Sequence, residues 1–452
     1  MKYIKHYGIL LSLLTVAHLV SSQNIVSSAT MMSVSPTWQW RCDSGEVLYN
    51  FNHAKILDGS HAITFDSIPY ARDYTMVVAY KPLAGAETSI WKLNYVDSSL
   101  RGLTTEHIVS GSTKIRYADT TGETPIINTL RQSAPDSISP FVSMALGGDT
   151  LSGSLKIAEI LYFDQRLSNS KLRKVQSALA IRYGITLGPV DYLDGNGKKI
   201  WKYADHGRYH HRVTGIGRDS TYNLYQPISR SEMEGSMLTI STDSIDEHAF
   251  LIIGDNDAPL TFVEDSGGTE ILSRQWHTMA TDMDNKSFSL IFDTRNIPMP
   301  TDSLVLLLDG YVIPPTAVQS NEVRFDNIWL PSDTCTFTLA RGSILWQIAQ
   351  STAHGPKGGN GGANHEDNLT FNMANSTFNV FPNPTTGHYT IEVTGAKQVQ
   401  VTIYDVHGAV IETYSDNGKG NYVFNGNLPS GNSYYATITT ENCTQTMKLV
   451  VK

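Results

Sequence analysis

Charged side chains are scarce in this chain of 452 residues. Asp, Glu, Lys and Arg together make up 17% of it, below the roughly 25% of an ordinary soluble domain. Ser, Thr, Asn, Gly and Tyr take their place, a composition typical of extracellular β-sandwiches. The formal net charge of −9 argues against a nucleic-acid partner, because non-specific binding needs positive charge to meet the phosphates.

Cysteine is also rare. The three cysteines, Cys42, Cys335 and Cys443, lack the spacing of a metal site. In an oxidising compartment one pair of them could form a disulfide and leave one free thiol. The alternative is that all three are small buried side chains. The sequence leaves both the choice and the pairing open.

Long hydrophobic runs are confined to the start of the chain. The apolar stretch from Gly8 to Val20 follows Lys2 and Lys5 and is too short to span a bilayer. This arrangement predicts a signal peptide over residues 1–22. No later stretch approaches the roughly 18 apolar residues of a membrane helix, so we expect an exported protein with no transmembrane segment of its own.

Catalytic sequence motifs are missing as well. The chain has no Gly-x-Ser-x-Gly, His-Glu-x-x-His or Cys-x-x-Cys pattern and no phosphate-binding glycine loop. We therefore expect a non-enzymatic protein with no catalytic residue and no cofactor. A hydrolase whose carboxylates meet only in space stays open as an alternative.

His206, His210 and His211 form the densest polar cluster in the sequence. Imidazoles at such positions can bind zinc or copper. The Asp, Gly, Arg and Tyr residues around them are more typical of a loop between strands, so the sequence predicts no metal site and leaves these histidines as candidates. The acidic pairs at Asp255–Asp257 and Asp282–Asp284 are likewise typical of turns, with calcium binding as the alternative.

The hydrophobic pattern predicts two β-rich regions ahead of the terminal one. Residues 36–187 read as strands and turns, with an apolar run in Ser154–Phe163 that predicts a central strand covered on both faces. The period then becomes that of a helix, which begins after the N-cap Ser168 and ends at Gly184. Residues 188–346 return to the strand pattern and predict a second β-sandwich.

Residues 347–374 predict a linker. The stretch His354–Gly362 is rich in glycine and has no apolar content, so we expect it to be flexible and to let the two-domain body swing freely. Residues 375–452 then predict a small β domain. The predicted fold class is all-β: two jelly-roll-like β-sandwich domains with one docked helix, a flexible linker, and a C-terminal immunoglobulin-like β-sandwich.

Four short motifs follow one another in the terminal region. They are a Pro-Asn-Pro-Thr-x-Gly opening with Pro382, Asn383, Pro384 and Gly387, a Tyr-Asp-x-x-Gly hairpin with Tyr404, Asp405 and Gly408, a Leu-Pro-Ser-Gly turn with Leu428, Pro429 and Gly431, and a closing strand with Lys448 and Lys452. Together they resemble the C-terminal sorting domain of proteins exported by the type IX secretion system of Bacteroidota. The resemblance implies that these residues dock the chain onto the outer-membrane machinery of that system. Asn432 and Ser433, inserted after the third motif, depart from the family pattern and alter only the turn.

Residues 36–187 resemble the laminin-G-like or concanavalin-like sandwich of surface proteins from the same bacteria, most closely in Ala158–Ser168 and Ala180–Leu187. Sugar binders, adhesion modules and structural units share this fold, so the resemblance does not decide the function. The aromatic residues that can stack on sugars are Trp38, Trp40, Trp91, Trp201 and Tyr209, although tryptophan in strands is more often core.

Three functions follow from these patterns. The first is a non-enzymatic surface protein delivered through its terminal domain, with a role as an accessory component of the secretion system and a signalling sensor protein as partner. The alternative is a secreted adhesin or glycan-binding cargo with surface glycans as partners. The third is the hydrolase. All three place the protein beyond the inner membrane, at the outer membrane, at the cell surface or outside the cell.

Overall fold

The structure is a computed structural model. It describes residues 35–45, 47–60, 62–83, 86–95, 100–117, 123–134, 139–148, 153–264, 270–283, 286–297, 304–309, 311–342, 369–373, 376–405, 409–440 and 444–452. The predicted signal peptide and most of the predicted linker lie outside these ranges.

The first domain consists of two antiparallel six-stranded sheets. Its strands are β1 (Trp38–Arg41), β2 (Val47–Tyr49), β3 (Asn52–Asp58), β4 (Ala62–Pro69), β5 (Asp73–Pro82), β6 (Ser89–Asn94), β7 (Leu100–Thr104), β8 (His107–Ser110), β9 (Thr113–Arg116), β10 (Ile126–Ser133), β11 (Phe141–Gly147) and β12 (Ser154–Phe163). One sheet has the order β10-β5-β12-β3-β2, with β1 also paired to β12, and the other has the order β4-β11-β6-β7-β8-β9.

Strand β5 shows why some strands of this domain are apolar throughout. Met76 and Val78 face the core between the two sheets, whereas Val77 and Ala79 face the opposite side. Because successive side chains of a strand point to opposite faces, burial of both faces requires a continuous apolar run. Strand β12 is central and buried on both faces, so the prediction made from its sequence is confirmed.

A helix, α1 (Asn169–Tyr183), covers the outer face of the β5–β12 sheet. The hydroxyl of Ser168 accepts a hydrogen bond from the Lys171 amide at 3.4 Å, and Gly184 has a φ of 59°. Both predicted ends of the helix are therefore confirmed.

Helix α1 is buried on two sides rather than one. Leu172 and Val175 pack on the first domain, while Ala180 and Ile181 pack in a second core with Trp201. The helix therefore takes part in the packing of both domains, and the predicted boundary between residues 187 and 188 falls just after this shared element.

The second domain is a sandwich of a nine-stranded and a five-stranded antiparallel sheet, with a separate two-stranded hairpin. Its elements are β13 (Tyr192–Leu193), β14 (Lys199–Trp201), the short helix α2 (Tyr203–His206), β15 (His211–Asp219), β16 (Leu224–Gln226), β17 (Ile228–Arg230), β18 (Leu238–Ser241), β19 (Phe250–Asp255), β20 (Phe262–Glu264), β21 (Glu270–Leu272), β22 (Trp276–Thr281), β23 (Phe288–Asp293), β24 (Leu304–Leu308), β25 (Tyr311–Ile313), β26 (Ala317–Gln319), β27 (Glu322–Ile328) and β28 (Thr336–Arg341). The larger sheet has the order β16-β15-β19-β22-β28-β21-β20, with β24 on β28 and β25 on β24, and the smaller has the order β17-β18-β23-β27-β26.

Two of the three cysteines lie in described parts of the chain. Cys42 and Cys335 are buried free thiols, and each Sγ donates to a carbonyl oxygen at 3.2 Å. Burial raises the pKa of Cys335 to about 12. The interpretation as small buried side chains is confirmed for these two, while Cys443 lies outside the described residues.

The terminal domain is a six-stranded antiparallel sheet that folds around its own core. Its strands are β29 (Leu369–Met373), β30 (Ser376–Phe381), β31 (His388–Tyr404), β32 (Val410–Asn427), β33 (Ser433–Thr440) and β34 (Thr444–Val450). Strand β31 pairs with β30 near its beginning, with β33 near its end, and with β32 along most of its length. Strand β29 lies within the predicted linker 347–374, so the terminal sheet begins earlier in the chain than the sequence indicated.

Candidate functional site

The opening motif of the terminal domain is joined to the chain end by hydrogen bonds. The Asn383 side chain accepts from the Val450 amide at 3.0 Å. The Thr385 amide donates to Val450 O, and the Lys452 amide donates to Thr385 O, both at 2.8 Å. The first and last motifs therefore form one unit, although the bonded residues Asn383 and Val450 are 67 positions apart in sequence.

The Leu-Pro-Ser-Gly turn joins the same unit. The Leu428 amide donates to Gly387 O at 2.9 Å, and the Gly431 amide donates to Val451 O at 3.0 Å. The opening motif, the turn and the closing strand thus satisfy one another's backbone groups.

Several motif side chains at this end of the sheet are exposed. They are Pro382, Pro384, Pro429 and Lys452. The backbone of Lys448 lies in β34, but its side chain is outside the described part of the chain, as is Gly408. The exposed residues form a surface that a partner protein can reach.

Tyr404 and Asp405 of the Tyr-Asp motif lie at the end of β31, ahead of β32, while residues 406–408 of the predicted turn lie outside the described part of the chain. The Asp405 amide donates to Ala409 O at 2.9 Å, and the Asp405 side chain accepts from the Ala409 amide at 2.8 Å. Tyr404 is paired across the sheet with Tyr435, and Tyr435 is paired with Lys448 of the last motif. All four motifs are thus linked through neighbouring strands.

Tyr404 and Tyr435 do not face solvent freely. Tyr435 is only 1% exposed, and both rings pack in a cluster with Val305, Val312 and Ala340 of the second domain. The terminal domain is therefore docked on the body, which differs from the free swinging expected from the linker. The sequence carries no sign of this contact, because each side of it reads as an ordinary apolar strand position.

The three candidate histidines have separate environments. His210 Nδ1 accepts from Trp201 Nε1 at 2.9 Å, and its Nε2 donates to the carbonyls of Leu187 or Gly188. Both ring nitrogens of His210 are thereby occupied by protein atoms and are not free to bind a metal. This histidine fixes the loop after α1 against the second domain.

His206 and His211 lie in different surroundings from His210 and from each other. The buried His206 ring lies 4.8 Å from both the Trp201 ring and the His277 ring. His211 is half exposed, 3.8 Å from an Asp257 oxygen. His206 thus belongs to an aromatic stack, whereas His211 lies on the surface beside a carboxylate.

The described residues contain one group able to offer three ligand atoms to a metal, Asp219, Glu247 and His248. The Asp219 carboxylate already accepts the Gly195 amide at 2.6 Å, and Glu247 accepts the Ser220 amide at 2.6 Å. The group therefore has a structural role in holding two loops together. The sequence did not indicate it, because Asp219 and His248 are distant along the chain.

One asparagine of the first domain connects three parts of the molecule. The Asn50 side chain donates to Ile181 O at 3.1 Å, Arg182 O at 3.0 Å and Ser229 Oγ at 2.9 Å, and it accepts from the Arg230 amide at 2.7 Å. Because it is 2% exposed, loss of these bonds would leave buried polar groups unsatisfied. Asn50 thus fixes the first domain, helix α1 and the second domain to one another.

The aromatic candidates for sugar stacking are buried or partly buried. Trp91 and Trp201 are fully buried. Trp38 packs edge-on against Phe65, and Tyr209 stacks on His277 at 5.0 Å. Trp38, Trp40 and Tyr209 are only partly buried, so they are the remaining candidates for stacking on a sugar ring.

Comparison with family models identifies the terminal domain. Residues 379–452 match the secretion system C-terminal sorting domain. The terminal domain therefore marks the chain for export by the type IX secretion system of Bacteroidota, to the cell surface or the surroundings, and it interacts with the machinery of that system. In the described part of the chain no helix combines the length and apolar character needed to cross a membrane.

A second model, a domain of unknown function called DUF8202, matches residues 171–334. This match begins inside α1, which agrees with the packing of that helix on the second domain. The laminin-G-like or concanavalin-like resemblance of residues 36–187 stays a prediction. No curated protein matches the chain.

Similarity to solved structures is weak. A biofilm-associated protein, in its BSP domain, has 10% identity and a TM-score of 0.14, covering 94% of this chain and 84% of that one. The protein pT26-6p has 7% identity and a TM-score of 0.15, covering 87% and 66%. Tp47, the 47-kilodalton lipoprotein of Treponema pallidum, has 8% identity and a TM-score of 0.12, covering 87% and 93%. At these TM-scores none of them supports an inference about fold or function.

Proposed function

We propose that the protein acts at the cell surface without catalysis, as an accessory component of the type IX secretion system similar to PorA, and that it keeps its terminal domain. The supporting observation is the buried contact of Tyr404 and Tyr435 with Val305, Val312 and Ala340. A cargo protein whose sorting domain is discarded has no need of such a contact.

Removal of the terminal domain would uncover apolar side chains of the second domain. Val305 and Val312 are at most 5% exposed with the domain in place, and Ile271 and Leu307 pack against the same cluster. Soluble proteins rarely expose contiguous apolar patches that have no partner. Retention of the terminal domain keeps this patch covered.

The exposed end of the terminal domain is then the surface available to partners. Pro382, Pro384, Pro429 and Lys452 remain exposed while the tyrosines face the body. We assign contact with the secretion machinery, and with a signalling sensor protein, to this end. The rest of the chain acts as a platform that fixes its orientation.

The alternative function is that of an adhesin or glycan-binding cargo. The full burial of Trp91 and Trp201 gives it less support than the docked terminal domain gives the accessory role. Binding of the whole protein to a glycan array would favour this alternative.

The fate of the terminal domain tests the proposal. We expect mass spectrometry of protein recovered from the native cell surface to find peptides from 379–452 in equal amount to peptides from 171–334. Protein that ends before residue 379 and carries a surface glycolipid would overturn the proposal in favour of anchored cargo. A deletion strain that still secretes all other cargo normally would also count against it.

A further inference from the structure

A cleft of about 410 Å³ lies at the junction of the two body domains. Its walls come from β10, helix α1 and the segment that follows the helix, including Ile126, Ile127, Ile185 and Leu187. This volume falls within the roughly 300–1,000 Å³ of small-molecule pockets, which occur preferentially between domains.

The shape of the cleft is fixed by the packing around it. Ile127 and Leu187 also pack against the core shared by α1 and the second domain, and Ile185 is 1% exposed. The Gln176 side chain donates to Thr129 Oγ1 at 3.1 Å. The walls are therefore held in place from both domains.

Arg173 brings the only charged side chain to the described lining of this cleft. It lies one helical turn before Gln176, and no described residue forms a hydrogen bond or ion pair with its guanidinium. The nearby carboxylate of Asp191 forms an ion pair with Lys199 at 2.7 Å and accepts a hydrogen bond from the Tyr203 amide. Burial outweighs the influence of Tyr192 and Asp191 and lowers the pKa of Arg173, as expected for a cation that lacks a full counter-charge.

We propose that this cleft binds a small aliphatic carboxylate, with its carboxylate on Arg173 and its hydrocarbon part against Ile126, Ile127 and Ile185. The planar guanidinium matches a carboxylate with two parallel hydrogen bonds. The isoleucine and leucine walls favour a hydrocarbon chain, because burial removes apolar surface from water. Among the described lining residues none offers an aromatic face to a sugar.

The source of such a ligand is either a free fatty acid or a peptide that ends in an apolar residue. Both carry an apolar body next to a carboxylate. A ligand in the cleft contacts β10 of the first domain and the segment leading into the second, so binding also stabilises their junction. This inference does not depend on whether the terminal domain is retained.

The test measures binding to the full chain by calorimetry with octanoate, octanol and octylamine. We expect octanoate to bind at least ten-fold more tightly than octanol and octylamine not to bind. N-acetyl-Leu-Leu with a free carboxylate distinguishes the two sources of ligand. If it binds more tightly than octanoate, the ligand is a peptide C-terminus; if it binds more weakly, the ligand is a fatty acid. Equal binding of octanoate and octanol would overturn the proposal.

Substitutions in helix α1 provide a second test of the proposed site. Arg173→Gln is expected to weaken octanoate binding at least ten-fold, and Arg173→Lys to weaken it less because the charge remains. Lys171→Gln, which removes an exposed charge from the same helix, is the matched control and should bind as the unchanged protein does. Unaltered binding by a folded Arg173→Gln variant would contradict the assignment. If that variant does not fold, Arg173→Lys and the ligand series on the unchanged chain still decide.

Discussion

The Arg182 guanidinium donates to the Glu159 carboxylate at 2.9 Å, where neither side chain is more than 5% exposed. Arg41 donates to the other carboxylate oxygen at 2.8 Å, and the Tyr183 hydroxyl donates at 2.8 Å. Burial alone would raise the pKa of Glu159, but the charges of Arg182 and Arg41 outweigh it and hold this pKa below its ordinary value. This buried group joins β12 to the end of helix α1.

Substitution of Glu159 tests this group. Glu159→Gln leaves two arginines partly or fully buried without a counter-charge, and we expect it to lower the free energy of unfolding by about 3–5 kcal/mol. Urea denaturation at neutral pH measures the loss. Asp282→Asn is the control, because Asp282 and its partner Lys198 are both more than half exposed, and we expect less than about 1 kcal/mol there. Equal losses from both variants would contradict a dominant role for the buried pair.

The positions of Glu159 and Arg182 in the sequence indicate that the two side chains form a buried pair. Glu159 interrupts the apolar run of β12, and Arg182 falls on the apolar face of the predicted helix. A charge placed among core positions is normally paired with another, so the two together indicate a buried contact. The helix with its two caps was predictable because those signals are local.

The contacts between domains were not predictable in the same way. Asn50 reaches Ser229 across 179 residues, and Tyr435 packs on Val312 of another domain. Strand pairing and domain docking depend on which apolar faces meet in space, and a single sequence records only that such faces exist. The terminal motifs were recognisable because their residues are close together in sequence and in order.

Gly184 gives a second test at the same junction. A side chain at Gly184 would place its Cβ 2.2 Å from Arg230 O. The amide of the same Arg230 donates a hydrogen bond to the Asn50 side chain. We expect Gly184→Ala to disturb the contact between α1 and the second domain. The loss of unfolding free energy, measured by urea denaturation, should exceed that of the control by about 1–3 kcal/mol, the usual cost of overpacking.

The control for this substitution is Gly111→Ala. Gly111 has the same φ of 59° as Gly184, and a Cβ there has nothing within 4 Å. It therefore reports only the backbone cost of a left-handed alanine, about 1–2 kcal/mol. Equal effects at both positions would mean that the contact with Arg230 contributes nothing.

The docked terminal domain predicts a change of shape on substitution. Val312→Asp places a charge in the cluster around Tyr435, and Tyr404→Ser removes a ring from the same contact. Because the terminal domain would lose its apolar contact with the second domain, we expect each variant to increase the radius of gyration in small-angle X-ray scattering. Val318→Asp, on the exposed edge strand β26, is the control and should leave it unchanged. An unchanged radius in folded Val312→Asp and Tyr404→Ser variants would show that the contact does not hold the domains together.

The aromatic stack of the second domain predicts a pH dependence. Burial, together with the neighbouring His206, lowers the pKa of His277 to about 4 from its ordinary 6.5. The unfolded chain therefore takes up a proton more readily than the folded one. Stability from His277 is complete above pH 6.5, declines as the pH falls below 6.5, and reaches its lower limit near pH 4, with a slope of at most about 1.4 kcal/mol per pH unit for one proton.

Substitution isolates the contribution of His277 from that of other titrating groups. We expect His277→Gln to lose less stability than the unchanged protein between pH 7 and pH 4.5, since glutamine takes up no proton. Urea denaturation at the two pH values measures this difference. His211→Gln, at a half-exposed site outside the stack, leaves His277 in place and should retain the decline that His277 causes. If His277→Gln shows the same decline as the unchanged protein, His277 titrates at its ordinary pKa and the stack does not exclude its charged form.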